Sequence, residues 1–127
     1  MTFKILIVDD SKLARMAVSK ALSTLRPDWI RVEASTADEA LKIMTVAAPD
    51  IALLDFNMPG RSGLDLAADL RQAKPNMPVA IVSANRQQEV LKRTAAVGAS
   101  FLVKPLTEQA LDEYLRMAEQ TLGKGQQ

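Results

Sequence analysis

Short apolar runs recur along the chain, and polar residues that favour a turn follow each of them. Most of the runs are rich in aliphatic and β-branched residues, which is typical of strands buried on both faces of a sheet. Five such strands are predicted, at 3–8, 29–34, 51–54, 79–82 and 101–103.

Between these runs, apolar residues return every three or four positions, which predicts amphipathic helices. The first helix begins near Leu13 and ends before Pro27. The second follows Thr36 and Glu39, whose spacing is that of a capping box, and stops near Pro49. The remaining three are predicted from Ser62 or Gly63 to before Pro75, from about Gln87 to Val97 with Gly98 as the C-terminal cap, and from the N-cap Thr107 to Leu122.

Strands alternate with helices, and every connection between them is short. Parallel strands require such helical crossovers, and a sheet with apolar residues on both faces must be covered on both sides. We therefore predict one doubly wound α/β domain over residues 1–122, with five parallel strands and five helices, and a flexible tail at 123–127.

Composition excludes several kinds of chemistry. The 127 residues include no cysteine and no histidine, which rules out disulfides, thiolate or imidazole metal sites and a Ser-His-Asp triad. The net charge of +1 creates no general attraction to nucleic acids or to anionic membranes. The apolar run at residues 1–8 is too short for a signal peptide or a membrane span, so we expect a cytoplasmic protein.

Polar side chains stand where four of the predicted strands end. They are Asp9, Asp10, Asp55, Ser83 and Lys104. Taken singly, each has an ordinary explanation as a turn, a helix cap, a loop hydroxyl or a solvated charge. The carboxyl ends of parallel strands meet at one edge, however, so these five side chains are expected to lie together.

Three neighbouring carboxylates repel one another and need a cation. With oxygen ligands alone the expected ion is hard, and Mg²⁺ is the usual choice where phosphate takes part, with Mn²⁺ as a substitute. Lys104 would add a fixed positive charge on the opposite flank. The set predicts a cradle for an acyl phosphate on aspartate.

The chain resembles the receiver domain of two-component response regulators, in particular the single-domain chemotaxis-regulator type. The resemblance covers essentially the whole chain and implies a flavodoxin-like fold with strand order 2-1-3-4-5. The motifs that carry it are Asp9-Asp10, Asp55 with Met58-Pro59 and Gly63, Ser83-Ala84, and Phe101 with Lys104-Pro105.

The resemblance implies a role for each of these residues. Asp55 is the phospho-acceptor, Ser83 bonds a phosphoryl oxygen, and Lys104 neutralises another. The implied ligands of Mg²⁺ are three carboxylates and one backbone carbonyl, from Asp9, Asp10, Asp55 and Asn57. Phe101 matches the aromatic residue that, together with Ser83, switches position on activation.

Other implications concern the loops beside these residues. Asn57 and Asn85 occupy positions that modulate dephosphorylation in the family. Ser83 replaces the commoner threonine, which keeps the hydroxyl but removes a methyl group. The resemblance also implies a cis peptide before Pro105.

By the same resemblance, the function is that of a phospho-acceptor switch which catalyses only its own phosphorylation and dephosphorylation. The donor would be a histidine kinase or a phosphotransfer protein. A downstream protein would bind the fourth helix, fifth strand and last helix. We expect a monomer or weak dimer that binds neither nucleic acid nor membrane.

Three alternatives stay open at this point. A flavodoxin-like electron carrier would need a phosphate-binding loop after the first strand, where Asp9 and Asp10 would instead repel FMN. A haloacid-dehalogenase-type phosphatase would need an Asp-x-Asp motif. The chain could also be a receiver excised from a multidomain regulator with a DNA-binding or enzymatic output.

Overall fold

A five-stranded parallel sheet in the order β2-β1-β3-β4-β5 forms the centre of the molecule. The computed structural model describes residues 2–125. The strands are β1 (Lys4–Val8), β2 (Ile30–Ala34), β3 (Ile51–Asp55), β4 (Val79–Ser83) and β5 (Ser100–Val103). The helices are α1 (Lys12–Leu25), α2 (Ala37–Val46), α3 (Gly63–Ala73), α4 (Gln88–Ala96) and α5 (Glu108–Gly125). The predicted strand order and fold class are confirmed.

The helices divide into two layers, one on each face of the sheet. Alternate residues of β1 enter opposite cores, with Ile5 in the core beneath α1 and α5 and Leu6 in the core beneath α2 and α3. Both side chains are fully buried. This two-sided burial explains why the central strands read as continuous apolar runs instead of alternating patterns.

Side-chain caps fix the start of four helices. The hydroxyls of Ser11, Thr36, Ser62 and Thr107 each accept a hydrogen bond from the backbone N–H three residues later. The capping box at Thr36 departs from the usual pattern, because the carboxylate of Glu39 accepts a hydrogen bond from the N–H of Ser35, one residue before the N-cap. These caps satisfy N–H groups that the helix itself leaves unpaired.

Most boundaries agree with the predictions within two residues, and the larger differences are at the ends of α2 and α5. The helix α2 ends at Val46, before the predicted stop near Pro49. Residues 123–125, which were predicted to lie in a flexible tail, continue α5 to Gly125. The pattern of apolar residues ends at Leu122, but the backbone of a helix can continue beyond its last apolar position. Residues 126 and 127, the rest of the predicted tail, lie outside the described residues.

The amino-terminal edge of the sheet is closed by two aromatic residues. Phe3 and Trp29 lie just before β1 and β2, with their ring centroids 5.3 Å apart in an edge-to-face arrangement. Both are buried, and the guanidinium of Arg26 lies 5.7 Å from the Trp29 ring centroid. The polar residues of interest all lie at the opposite edge.

Candidate functional site

Asp55 ends β3, the central strand, and its side chain is buried with about 7% of its surface exposed. The register of the sheet places Asp55 beside Val82 of β4, so it stands at the carboxyl edge between two neighbouring strands. A buried carboxylate is stable only when a charge or hydrogen-bond donor meets it. Here the ammonium of Lys104 does so, with Nζ 2.8 Å from Oδ1.

Lys104 follows β5, and its backbone directs it across the edge of the sheet. Its N–H donates to the carbonyl of Ser83, and the peptide bond to Pro105 is cis, as the resemblance implied. Burial lowers the pKa of Lys104. The hydrogen bond to Asp55 and the negative charges of Asp55, Asp9 and Asp10 outweigh this effect and raise the pKa above its ordinary value. The lysine is therefore held in its charged form.

Asp9 and Asp10 begin the loop after β1 and bring two more carboxylates to Asp55. The N–H of Ser11 donates to Oδ1 of Asp9 at 2.9 Å, which turns the carboxylate inwards, and Oδ2 lies 3.8 Å from Lys104 Nζ. Burial raises the pKa of Asp9, and the charges of Asp55 and Asp10 add to this against the opposing effects of Ser11 and Lys104. An added cation would relieve this repulsion.

The three carboxylates fit a hard divalent ion. One oxygen from each of Asp9, Asp10 and Asp55 can be chosen so that all lie within 4.8 Å of one another. Mg²⁺ binds oxygen ligands at about 2.1 Å, so adjacent oxygens of its octahedron are roughly 3.0 Å apart and the three carboxylates would move inwards to hold it. Asp10 is exposed, so water can reach the carboxylate cluster on the side of Asp10 and serve as a further ligand.

Ser83 ends β4 and is 2% exposed, and its hydroxyl accepts a hydrogen bond from the N–H of Asn85 at 3.0 Å. The side-chain oxygen of Asn85 in turn accepts from the N–H of Gln87 just before α4. Ser83, predicted to switch, and Asn85, predicted to modulate dephosphorylation, therefore connect the end of β4 to the start of α4. Asn57 is exposed in the loop after β3.

Phe101 lies on β5 away from both main cores. It is half-buried and lines a surface cleft of about 670 Å³ together with Tyr114 and Met117 of α5. Its role as a switch stays a prediction. The cleft beside it shows that this part of the surface is not closely packed.

Two features of the site were not apparent from the sequence pattern. Arg15 of α1 reads as a solvated helix residue, yet its guanidinium donates to the carbonyl of Asp9 at 2.5 Å and to Glu33 of β2 at 3.0 Å. Gly63 was predicted to lie in a family motif and near the start of α3, but not to approach β3 closely. A Cβ built there would lie 2.2 Å from the carbonyl oxygen of Asp55, so the glycine lets α3 begin directly against the end of β3.

A family model for the response regulator receiver domain matches residues 5–116, which is most of the chain. The chain belongs to this family. Receiver domains are the signal-accepting parts of two-component response regulators. They bind Mg²⁺ through acidic residues, and they interact with histidine kinases or phosphotransfer proteins and with downstream targets.

Relatives of this receiver domain include longer regulators. The positive alginate biosynthesis regulatory protein of Pseudomonas aeruginosa is 37% identical over 118 residues, which cover 90% of this chain and 46% of that protein. The transcriptional regulatory protein MalR of Bacillus subtilis is 32% identical over 117 residues, which cover 88% of this chain and 50% of MalR. The receiver domain thus spans about half the length of the curated relatives it matches.

Solved structures with the same fold are close to the full length of this receiver domain. The chemotaxis protein CheY4 of Vibrio cholerae matches with a TM-score of 0.84 at 28% identity, covering 93% of this chain and 99% of that one. A CheY-like receiver domain from Methanospirillum hungatei has a TM-score of 0.88 at 22% identity, covering 98% and 99%, and supports the fold alone. Over residues 2–125, the structure contains no helix long and apolar enough to cross a membrane.

Proposed function

We propose that Asp55 accepts a phosphoryl group from a histidine kinase or a phosphotransfer protein and that the resulting change controls a partner protein. The observation that carries the proposal is the Lys104–Asp55 contact of 2.8 Å beside the carboxylates of Asp9 and Asp10. The chain has no histidine, so the donor must be another molecule. We place this exchange in the cytoplasm.

The carboxylate of Asp55 would act as the nucleophile on phosphorus, and the P–N bond to the donor's histidine would break as the P–O bond forms, which leaves the imidazole on the donor. The ammonium of Lys104, 2.8 Å from Asp55, is placed to take up charge developing on an equatorial phosphoryl oxygen. Asp9, Asp10, Asp55 and the backbone carbonyl of Asn57 would hold Mg²⁺ (or Mn²⁺). The ion would supply charge neutralisation on the phosphoryl oxygens.

The aspartyl phosphate would then favour a second arrangement of the loop after β4. The Ser83 hydroxyl can exchange its bond with Asn85 for one to a phosphoryl oxygen, and Phe101 can move into the space left behind. This would alter the surface formed by α4, β5 and α5, where we place the downstream partner. Water would later hydrolyse the acyl phosphate, with Asn57 and Asn85 beside its path, so the protein is a resettable switch and not a turnover enzyme.

The test is chemical phosphorylation of the isolated chain. Incubation with acetyl phosphate and MgCl₂ should add one phosphoryl group, measured by intact-mass spectrometry, and EDTA should prevent it. Asp55→Asn should not be labelled, whereas Asp38→Asn, a change of an exposed aspartate on α2, should be labelled like the wild type. Persistent labelling of the Asp55 variant would refute the assignment.

A second candidate function concerns what the domain is attached to. The chain spans about half of relatives that include a transcriptional regulatory protein, which supports the alternative of a receiver within a longer regulator with DNA-binding or enzymatic output. An antibody against the purified chain would settle this by the size of the native protein on an immunoblot. A band at 13.8 kDa would favour the stand-alone regulator, and a band near twice that mass the alternative.

A further inference from the structure

An apolar cavity of about 510 Å³ opens beside the acidic site on the face of the sheet covered by α1 and α5. Its floor is formed by Ile7, Leu53 and Val82 of the three central strands. Its walls are α1 and the segment from Pro105 to Leu111. Known small-molecule pockets have volumes of about 300–1,000 Å³ and mostly apolar linings, so this cavity is of the right size and character.

The gap exists because α1 presents small side chains to it. Ala14, Ala17 and Ala21 fall on one stripe of the helix at spacings of three and four residues, and all three line the cavity. Larger side chains at these positions would fill it. The stripe alone would not establish a site, since a helix with small residues can move inwards and close the gap.

Two arginines hold α1 at both ends and oppose such closure. Near its start, Arg15 donates to the Asp9 carbonyl and pairs with Glu33 of β2. Just past its end, Arg26 pairs with Asp112 at 3.0 Å and with Glu119 at 2.9 Å, both on α5. The helix is therefore anchored to the sheet at one end and to α5 at the other, which keeps the cavity preformed.

One end of the cavity is acidic. The carboxylates of Asp9 and Asp55 line it, and Lys104 is the cation beside them. That single ammonium is shared between the two carboxylates, at 2.8 Å from Asp55 and 3.8 Å from Asp9, and Asp10 lies next to them. Two carboxylates and one ammonium line this end, Asp10 adds a further negative charge beside them, and the Arg15 guanidinium at the Asp9 carbonyl is already paired with Glu33. This end therefore favours a cationic group over an anionic one.

We propose that the cavity binds a small amphiphile whose apolar body lies between α1 and the β5–α5 connection and whose protonated amine faces Asp9. Burial of the body against Leu53 and Val82 would supply affinity, and the acidic end would supply selectivity for the charge. The cavity shares Asp9, Asp55 and Lys104 with the proposed phosphorylation site, but amine binding needs no phosphoryl transfer, so the absence of either activity would leave the other standing.

The experiment compares three probes of one shape and different charge: 4-phenylbutylamine, 4-phenylbutanol and 4-phenylbutanoate. Binding is followed by NMR of the full chain with labelled alanine methyl groups, without added metal. For probes of this size a dissociation constant on the order of a millimolar is expected. The methyl signals of Ala14, Ala17 and Ala21 should shift, while Ala40 and Ala67, in the core beneath α2 and α3, should not.

The amine should bind about tenfold more tightly than the carboxylate, with the alcohol between them. Ala17→Leu, which fills the cavity from α1, should weaken the amine at least about fivefold, and Ala95→Leu, at an exposed position of α4, should leave it unchanged. Far-UV circular dichroism of both variants would check that they are folded.

Three results would overturn the proposal. Preferential binding of the carboxylate would contradict the acidic end as the source of selectivity. Shifts spread evenly over the alanine methyl groups, or equal binding to the Ala17 and Ala95 variants, would place the amine elsewhere. Absence of any saturable shift with all three probes would mean that the cavity takes no ligand of this class.

Discussion

The ammonium of Lys104 meets the carboxylate of Asp55 at 2.8 Å, although 49 residues separate them in the chain. The parallel sheet produces this contact, because β3 and β5 flank β4 and all three end at the same edge. The side chain of Lys104 is about one-third exposed, so solvent weakens the pair, whereas that of Asp55 is almost completely buried. The lysine therefore matters most as the partner that a buried carboxylate requires.

Replacing this partner should make stability depend more strongly on a divalent ion. In EDTA, Lys104→Gln should lower the free energy of unfolding by roughly 1 kcal/mol, because Asp55 and Asp9 lose their counter-charge. MgCl₂ should stabilise the variant more than the wild type, since the competing ammonium has gone. Urea unfolding followed by circular dichroism measures both. Lys12→Gln, at an exposed position of α1, should show neither effect, and an equal loss with and without Mg²⁺ would contradict the expectation.

Removing a carboxylate from the cluster should weaken divalent-ion binding. Asp9→Asn and Asp10→Asn should each raise the dissociation constant for Mn²⁺ by about tenfold or more, because a neutral amide replaces a charged oxygen ligand. Electron paramagnetic resonance of free Mn²⁺ gives the constant directly, and competition with MgCl₂ gives that for Mg²⁺. Asp38→Asn serves as the control for the loss of one negative charge. Unchanged affinity in both cluster variants would exclude these carboxylates as ligands.

A methyl group at Gly63 should disturb both stability and the site. The added Cβ would lie 2.2 Å from the carbonyl oxygen of Asp55, so α3 or the end of β3 must move. Gly63→Ala should lower the free energy of unfolding by about 1–3 kcal/mol and weaken Mn²⁺ binding as Asp55 shifts. Gly123→Ala is the matched control, since nothing lies within 4 Å of its added Cβ and alanine favours a helix by up to about 1 kcal/mol. Equal stability of the two variants would contradict the close approach.

Tyr114 should make the fold sensitive to alkaline pH. Its hydroxyl donates to the carbonyl of Ala52 at 3.0 Å, and burial raises its pKa well above the ordinary value. Burial disfavours the charged tyrosinate in the folded state only. The contribution of Tyr114 to stability is therefore complete below the pKa of tyrosine in the unfolded chain, which is about 10. It falls by up to about 1.4 kcal/mol per pH unit above that value.

The chain has a single tyrosine, so tyrosinate absorbance reports on Tyr114 alone. In the folded protein it should rise only together with unfolding, whereas in urea it should follow an ordinary titration. Tyr114→Phe should lose about 1 kcal/mol at neutral pH with the hydrogen bond, and its stability should fall less steeply above pH ~10. Tyrosinate forming in the native protein near its ordinary pKa would contradict this.

The elements and the gathering of the site could be predicted because local rules decided them. Apolar runs ended by aspartate or lysine marked the strands, and Thr36, Ser62 and Thr107 stand where hydroxyl caps are expected. Parallel strands then place Asp9, Asp55 and Lys104 at one edge without knowledge of which strands are neighbours. The strand order itself came from the family resemblance.

Contacts that depend on tertiary packing could not be predicted in the same way. Nothing in the pattern of α5 shows that Tyr114 reaches the carbonyl of Ala52 across a core. Arg15 has the spacing of an exposed helix residue, and its contact with the Asp9 carbonyl depends on how α1 lies against β1. The close approach at Gly63 likewise depends on where α3 begins relative to β3. The roles predicted for Ser83, Phe101, Asn57 and Asn85 stay predictions.

The buried pair of Phe3 and Trp29 has a practical consequence for all these measurements. Six residues of extended chain separate Phe3 from Asp9, a distance of roughly 20 Å at about 3.3 Å per residue. Trp29 is the only tryptophan, so the tryptophan fluorescence of the chain comes from the edge opposite to the carboxylates. Its emission should follow global unfolding and remain constant while ions or a phosphoryl group bind, which provides an internal optical reference in the same cuvette.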